Sequence, residues 1–379
     1  MGSLARSICS AKTIAAVERL ARSDSRLAMT PDQFDRDPWL LNTPAGTVVL
    51  KTGLMREHRR KDYITKLTAA GPGGDCPLWR KFIDRITGGN AELAAFIQRM
   101  LGYSLTGSTQ DHALFFCHGG GANGKSVLLG TVANILGDYH TTAPIETFSA
   151  SQNDRHPTEL AALRGAHLVT ATETQEGRRW DETKIKLLTG GDRISARFMR
   201  GDFFEFVPQF KLIIAGNHKP SLRTVDEAIR RRFHLVPFVV TIPPAERDVE
   251  LKEKLKAEWP GILAWMIEGC LAWQREGLSP PAPVRDATAA YMDAEDSIST
   301  WLCECCSRDP NAWKSSTALF ASWSVWARHA GEAIGSQKAF VQTLENGRGL
   351  KAARKKSGRG FQGASINPIA SSSYGYKDD

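Results

Sequence analysis

The chain has 379 residues, a net charge of +8 and a pI near 9.1, with 42% hydrophobic and 24% charged residues. These values fit a globular chain of two or three domains. They exclude a membrane span, because no apolar run approaches the ~18 residues one needs, and the basic excess permits a polyanionic partner. The N-terminus shows no signal-peptide core. Of seven cysteines, only Cys303, Cys305 and Cys306 cluster, without the second pair of a zinc site, so reduced thiols are expected.

Residues 1–30 predict a basic amphipathic helix, with Ile8, Ile14, Val17, Leu20 and Leu27 at roughly helical spacing. An irregular, proline-bearing stretch at 35–44 leads to a short strand at 47–50. Helices are expected at 77–86 and 91–101, giving a mostly helical N-terminal domain over 1–108. Residues 109–244 alternate apolar strands (113–117, 167–172, 211–215, 233–240) with helices, an α/β pattern with a largely parallel sheet. Helices at 247–258 and 261–274 and a three-proline linker at 277–283 make a helical extension over 245–285. Over 286–367, helices at 287–306, 316–330 and 337–346 precede strands at 350–355 and 361–366. That is the order of a winged helix. Residues 368–379 are polar and expected to be disordered.

The most informative segment is Gly119-Gly120-Gly121-Ala122-Asn123-Gly124-Lys125-Ser126, which satisfies G-x-x-x-x-G-K-[ST]. A loop of small residues lets backbone N–H groups converge on phosphates, with the first helical residues through Val127 completing the cradle. Lys125 would reach the β/γ-phosphates of ATP and Ser126 would hold Mg²⁺. An apolar run ends at Glu173, a carboxylate for Mg²⁺ and the attacking water. Many P-loop enzymes have two acids there; Thr172-Glu173 leaves both roles to Glu173. Asn217 ends the next strand and suits a γ-phosphate sensor. Arg230-Arg231-Arg232 precedes the last strand and suits an arginine finger, which in trans would place the site between subunits. A basic hairpin at 194–206, with Arg200 in its turn, could touch a nucleic-acid backbone in a central channel.

Together the P-loop, the strand ending in Glu173, the run Lys186-Leu187-Leu188-Thr189-Gly190-Gly191-Asp192-Arg193-Ile194-Ser195-Ala196-Arg197, Gly216-Asn217-His218-Lys219-Pro220 and Arg230-Arg231-Arg232-Phe233 resemble the superfamily 3 helicases, specifically the phage/plasmid and poxvirus-type primase-helicases. The stretches at 34–44 and 99–107 look like the helical domain preceding the ATPase in that family. One local departure is Thr47-Val48-Val49-Leu50, where relatives commonly have Asp before the Leu.

The resemblance implies an AAA+-like P-loop NTPase core between a helical N-terminal oligomerisation collar and a C-terminal winged helix. It implies an ATP- and Mg²⁺-dependent replicative DNA helicase of a phage, plasmid or integrated element, working in the cytoplasm of a bacterial host. Its partners would be single-stranded and forked DNA, further copies of itself in a ring, usually a hexamer, and a primase on a separate chain or outside this sequence. Translocation would run 3′→5′. Lys125, Ser126, Glu173 and Asn217 take the nucleotide roles, with Arg231 or Arg232 as the finger. DNA contacts fall to Arg200, Arg197 and Lys186, and to Lys351, Arg354, Lys355, Lys356 and Arg359 of the C-terminal hairpin. The alternative is an ATP-assembled initiator or loader that binds DNA without processive unwinding.

Overall fold

A computed structural model describes residues 7–26, 28–151, 158–172, 178–222, 225–332, 334–345, 350–355 and 358–367. The N-terminal helix runs over Ala11–Ser23, shorter than expected, and Ser10 caps it by accepting from the Thr13 N–H. None of its residues is buried, so Ile14, Val17 and Leu20 face solvent. Leu27 lies outside the described residues. Beside its helices this part holds a small sheet, of which one strand was expected. Strands β1 (Leu40–Thr43), β2 (Gly46–Val49) and β3 (Leu54–Arg56) form an antiparallel sheet in that order. Strand β1 occupies the stretch read as irregular: Leu41 and Thr43, alternate along it, are fully buried. Four residues beside a proline are too few to display a period of two.

The central sheet contains β4 (Leu114–His118), β5 (His140–Thr142), β6 (Leu168–Thr172), β9 (Lys211–Gly216) and β10 (Phe233–Pro237), with the hairpin β7 (Ile194–Ala196) and β8 (Phe204–Phe206) inserted before β9. All five central strands are parallel, in the order β10-β4-β9-β6-β5. Covered on both faces, they read as continuous apolar runs. β10 stops at Pro237 rather than reaching 240, and β5 was not foreseen.

One face packs against helices Pro77–Thr87, Ala91–Tyr103, Lys125–Leu136 and Trp259–Glu276, in a single core that joins Trp79, Phe96, Phe115, Leu128 and Trp273. Segments expected as separate units over 1–108, 109–244 and 245–285 therefore share one hydrophobic interior. Helices Ala91–Tyr103 and Trp259–Glu276 meet backbone to backbone at Gly102, where a Cβ would come 2.1 Å from the Cys270 nitrogen. The opposite face buries Trp180, Ile185, Phe210 and Tyr291. Tyr291 belongs to helix Ala282–Ala294, so the expected boundary at 285/286 falls inside a helix of the core. Pro283 sits in that helix's first turn, where its missing N–H costs nothing, which shortens the expected linker.

The helix expected over 287–306 is two: Asp296 accepts from the Ser299 N–H and starts Ser297–Cys305. Strand β11 (Cys306–Ser315), also unforeseen, follows. Then come helices Ser316–Ala330 and Gln337–Glu345, and strands β12 (Lys351–Lys355) and β13 (Gly358–Ile366), in a sheet ordered β11-β13-β12. Trp301, Trp323 and Phe340 fill the core of this part. The tail expectation over 368–379 lies outside the described residues.

Candidate nucleotide-binding site

The loop after β4 is shaped by contacts that exclude side chains. Gly124 has φ +87°, and a Cβ there would lie 2.4 Å from Ile86; a Cβ on Gly119 would lie 2.1 Å from the Phe238 carbonyl oxygen. Asn123 Nδ2 donates to the Gly120 carbonyl (2.6 Å) and the Phe238 carbonyl (3.2 Å), and the Ile242 N–H donates to the Ala122 carbonyl (2.8 Å). The segment after β10 thus holds the loop from outside. Gly120 and Gly121 face open space. The Val127 side chain packs toward the core instead.

Lys125 opens the helix and is only 6% exposed. Its Nζ donates to the Gly119 carbonyl (2.6 Å), the Gly120 carbonyl (3.1 Å), Asn123 Oδ1 (3.1 Å) and Asn217 Oδ1 (3.3 Å). Burial pushes its ammonium below the usual lysine range. A polyanion at the loop would offset that desolvation. Residues 217 and 125 come together because β4 and β9 are adjacent and in register, His118 opposite Gly216.

Beside this contact opens a cavity of about 810 Å³, lined by Lys125, Ser126 and Asn217, and by His140, Thr170 and Thr172 across from them. Thr172 ends β6 beside Ala215. Glu173 lies outside the described residues. His140 Nε2 is 2.8 Å from Thr170 Oγ1, and burial keeps the imidazole below its ordinary pKa. A cationic lysine, a helix N-terminus and several hydroxyls around one opening at the carboxyl ends of parallel strands can hold a phosphorylated ligand.

The three arginines separate. Arg230 pairs with Asp293 (3.2 Å) and Asp296 (3.7 Å). Arg232 is 7% exposed, and its guanidinium donates to Thr189 Oγ1 (3.2 Å) and the Ala228 carbonyl (2.8 Å). Of the two arginines expected as a finger, Arg232 is held inside its own chain. Arg231 is exposed. It precedes β10, whose start pairs with Leu114 while its end pairs with His118. Arg231 therefore lies at the sheet edge away from its own P-loop.

On the β7–β8 hairpin, Arg200 adopts φ +60° at the exposed turn, and Arg197 stacks on the Phe203 ring (4.7 Å). Phe198, Met199 and Phe203 are exposed beside them. Lys186 does not join this group. It sits on helix Glu182–Thr189 and pairs with Asp226 at 2.5 Å. Lys351, Arg354, Lys355 and Arg359 lie exposed on β12 and β13, and Lys356 is outside the described residues.

Residues 2–88 match the family described as D5 N terminal like, and residues 117–232 match a family of unknown function, DUF5906. A helicase-named protein of Acanthamoeba polyphaga mimivirus, L207/L206, is 26% identical over 215 residues, covering 52% of this chain and 22% of that protein. The helicase-named 022R of Frog virus 3 (isolate Goorha) is 26% identical over 258 residues, covering 61% and 26%. These matches support the resemblance to the phage-type primase-helicases, a superfamily 3 group. The chain spans about a quarter or less of the length of these relatives. The solved C-terminal region of NrS-1 aligns with a TM-score of 0.48 at 11% identity, covering 79% of this chain and 77% of that one.

Reading the sequence missed the far wall of the cavity. His140 and Thr142 belong to a three-residue strand with no apolar signature. Thr170 was legible as strand, but its lining role depends on β6 standing next to β5.

Proposed function

We propose that the chain is the motor part of an ATP-driven DNA helicase that works as a ring, most simply a hexamer, and translocates 3′→5′ on single-stranded DNA. The observation that carries this reading is the contact of Lys125 with Asn217 at the mouth of the cavity. It brings the phosphate-binding loop and the end of β9 to one point.

In this reading the loop residues 119–124 and Lys125 bind the phosphates of ATP, and Asn217 reports the γ-phosphate. Ser126 and Glu173 would hold Mg²⁺, which supplies charge neutralisation on the phosphates. Arg231 reaches the site of a neighbouring copy, a reading supported by its place before the end of β10 that lies away from its own P-loop. The hairpin tip, with Arg197, Arg200 and the exposed Phe203, contacts the strand being moved. The part over 297–367 is read as a winged helix. A separate primase would supply primers.

A replication initiator or loader is the second reading. The exposed basic residues Lys351, Arg354, Lys355 and Arg359 on one hairpin favour it, because they suit duplex binding. Strand displacement on a forked DNA with a 3′ single-stranded arm decides. Displacement by the wild type with ATP and Mg²⁺, and none by Lys125→Ala, establishes the helicase. DNA-stimulated hydrolysis without displacement selects the loader.

A further inference from the structure

We propose that His140 is a positioning residue for ATP hydrolysis and acts through the Thr170 hydroxyl on the far wall of the nucleotide cavity. The inference deepens the motor reading and rests on it. His140 opens β5 and Thr170 lies midway along β6, with Nε2 and Oγ1 2.8 Å apart. Side chains alternate along a strand. Val169 and Ala171 enter the core on one face of the sheet, and Leu168 enters the core on the other, with Leu128 and Val132 of helix Lys125–Leu136. Thr170 and Thr172 follow Leu168 on that second face, where apolar side chains would extend the core. Instead they line a cavity with His140 and Thr142, and the helix offers it the small residues Ser126, Gly130 and Ala133.

Hydroxyls and an imidazole on the inner face of a parallel sheet cost stability unless they are bonded. Larger apolar side chains could fill the space. At about 810 Å³ it is polar and roomy enough for ordered water beside the phosphates. Burial keeps the His140 ring neutral, with one ring hydrogen. On Nε2 that hydrogen goes to Thr170 Oγ1 and leaves the hydroxyl hydrogen for the cavity; on Nδ1, Thr170 donates to the ring instead. An anionic ligand selects the first arrangement. Thr170, 5% exposed, then donates to a water in the cavity. Thr172, two residues and roughly 7 Å along the strand, holds that water or its neighbour from the open end. Glu173 comes next in the sequence, so the water is held toward the carboxylate proposed to activate it.

The test is steady-state ATP hydrolysis by the full chain with Mg²⁺ and single-stranded DNA, with melting temperatures taken in parallel. Thr170→Val and His140→Leu should each lower kcat about tenfold, the size of one hydrogen bond lost from the transition state. KM for ATP should stay within about twofold, since the phosphate contacts are untouched. The double variant should lose about tenfold in all rather than about a hundredfold, because the two residues act as a unit. Thr170→Ser keeps the hydroxyl and His140→Gln keeps a side-chain N–H, so each should stay within about threefold of the wild type. Thr170→Val should melt at or above the wild-type temperature, since a buried hydroxyl is removed. Wild-type kcat in both single variants would overturn the inference, as would an additive loss in the double variant, a loss carried by KM, or a loss matched by a fall in melting temperature. Lys125→Ala separates the two levels. If it hydrolyses ATP like the wild type, the motor reading fails and this inference with it. If it is inactive while the His140 and Thr170 variants are normal, this inference alone fails.

Discussion

Lys125 Nζ stands 3.3 Å from Asn217 Oδ1, joining the helix after β4 to the end of β9. If this pair senses the terminal phosphate, Lys125→Ala abolishes ATP hydrolysis. Asn217→Ala should lower kcat on the order of a hundredfold while leaving nucleotide affinity within a few-fold, since an interaction made mainly in the transition state is lost. Steady-state hydrolysis with nucleotide binding measured in parallel checks both.

Arg231 and Arg232 should behave oppositely despite their adjacency. Arg232→Ala leaves Thr189 Oγ1 and the Ala228 carbonyl without a buried donor and should cost about 1–3 kcal/mol in urea denaturation. Arg231→Ala should melt like the wild type and lose hydrolysis on the order of a thousandfold. Mixing Arg231→Ala with Lys125→Ala should restore part of the activity, because some shared sites then contain both residues. No recovery on mixing would count against a site completed by a neighbour.

His167 is buried with Nδ1 2.7 Å from the Leu105 carbonyl, so the neutral ring donates there. Burial, with the nearby Lys211 charge, pushes its pKa down to about 3, against an ordinary value of 6.5. Below pH 6.5 the unfolded chain binds a proton that the folded chain refuses. Stability from this residue is therefore full above pH 6.5 and is lost as pH falls toward 3. Urea midpoints across that window should show a shallower acid limb in His167→Gln than in the wild type.

Tyr291 OH accepts from Trp180 Nε1 at 3.0 Å and donates to the Pro220 carbonyl. Tyr291→Phe strands both buried groups and should cost about 1–3 kcal/mol. A change near zero would mean that helix Ala282–Ala294 is loosely docked on the sheet.

Legibility followed locality. The loop at 119–126 could be read directly because Gly119 and Gly124 answer to contacts that forbid a side chain. Asn217 could be read because it follows six buried strand residues. Strand β11 could not: it contains Pro310 and Asp309, is half exposed, and its pairing with β13 is broken by an irregularity between Asp309 and Trp313. Arg230, Arg231 and Arg232 are indistinguishable as letters. Only the fold gives one an acidic pair, buries another and leaves the middle one in solvent.

Strand β10 has five residues, with Arg231 two residues before it, joined through the buried Arg232, and Phe238, which braces the phosphate loop, just after. The strand is roughly 16 Å long at about 3.3 Å per residue. In an assembly where Arg231 meets a neighbour's phosphates, this one rigid rod connects two reaction centres. A displacement at its first end arrives at the second with no flexible link between them, so the timing of successive subunits can be set by a single strand of the sheet.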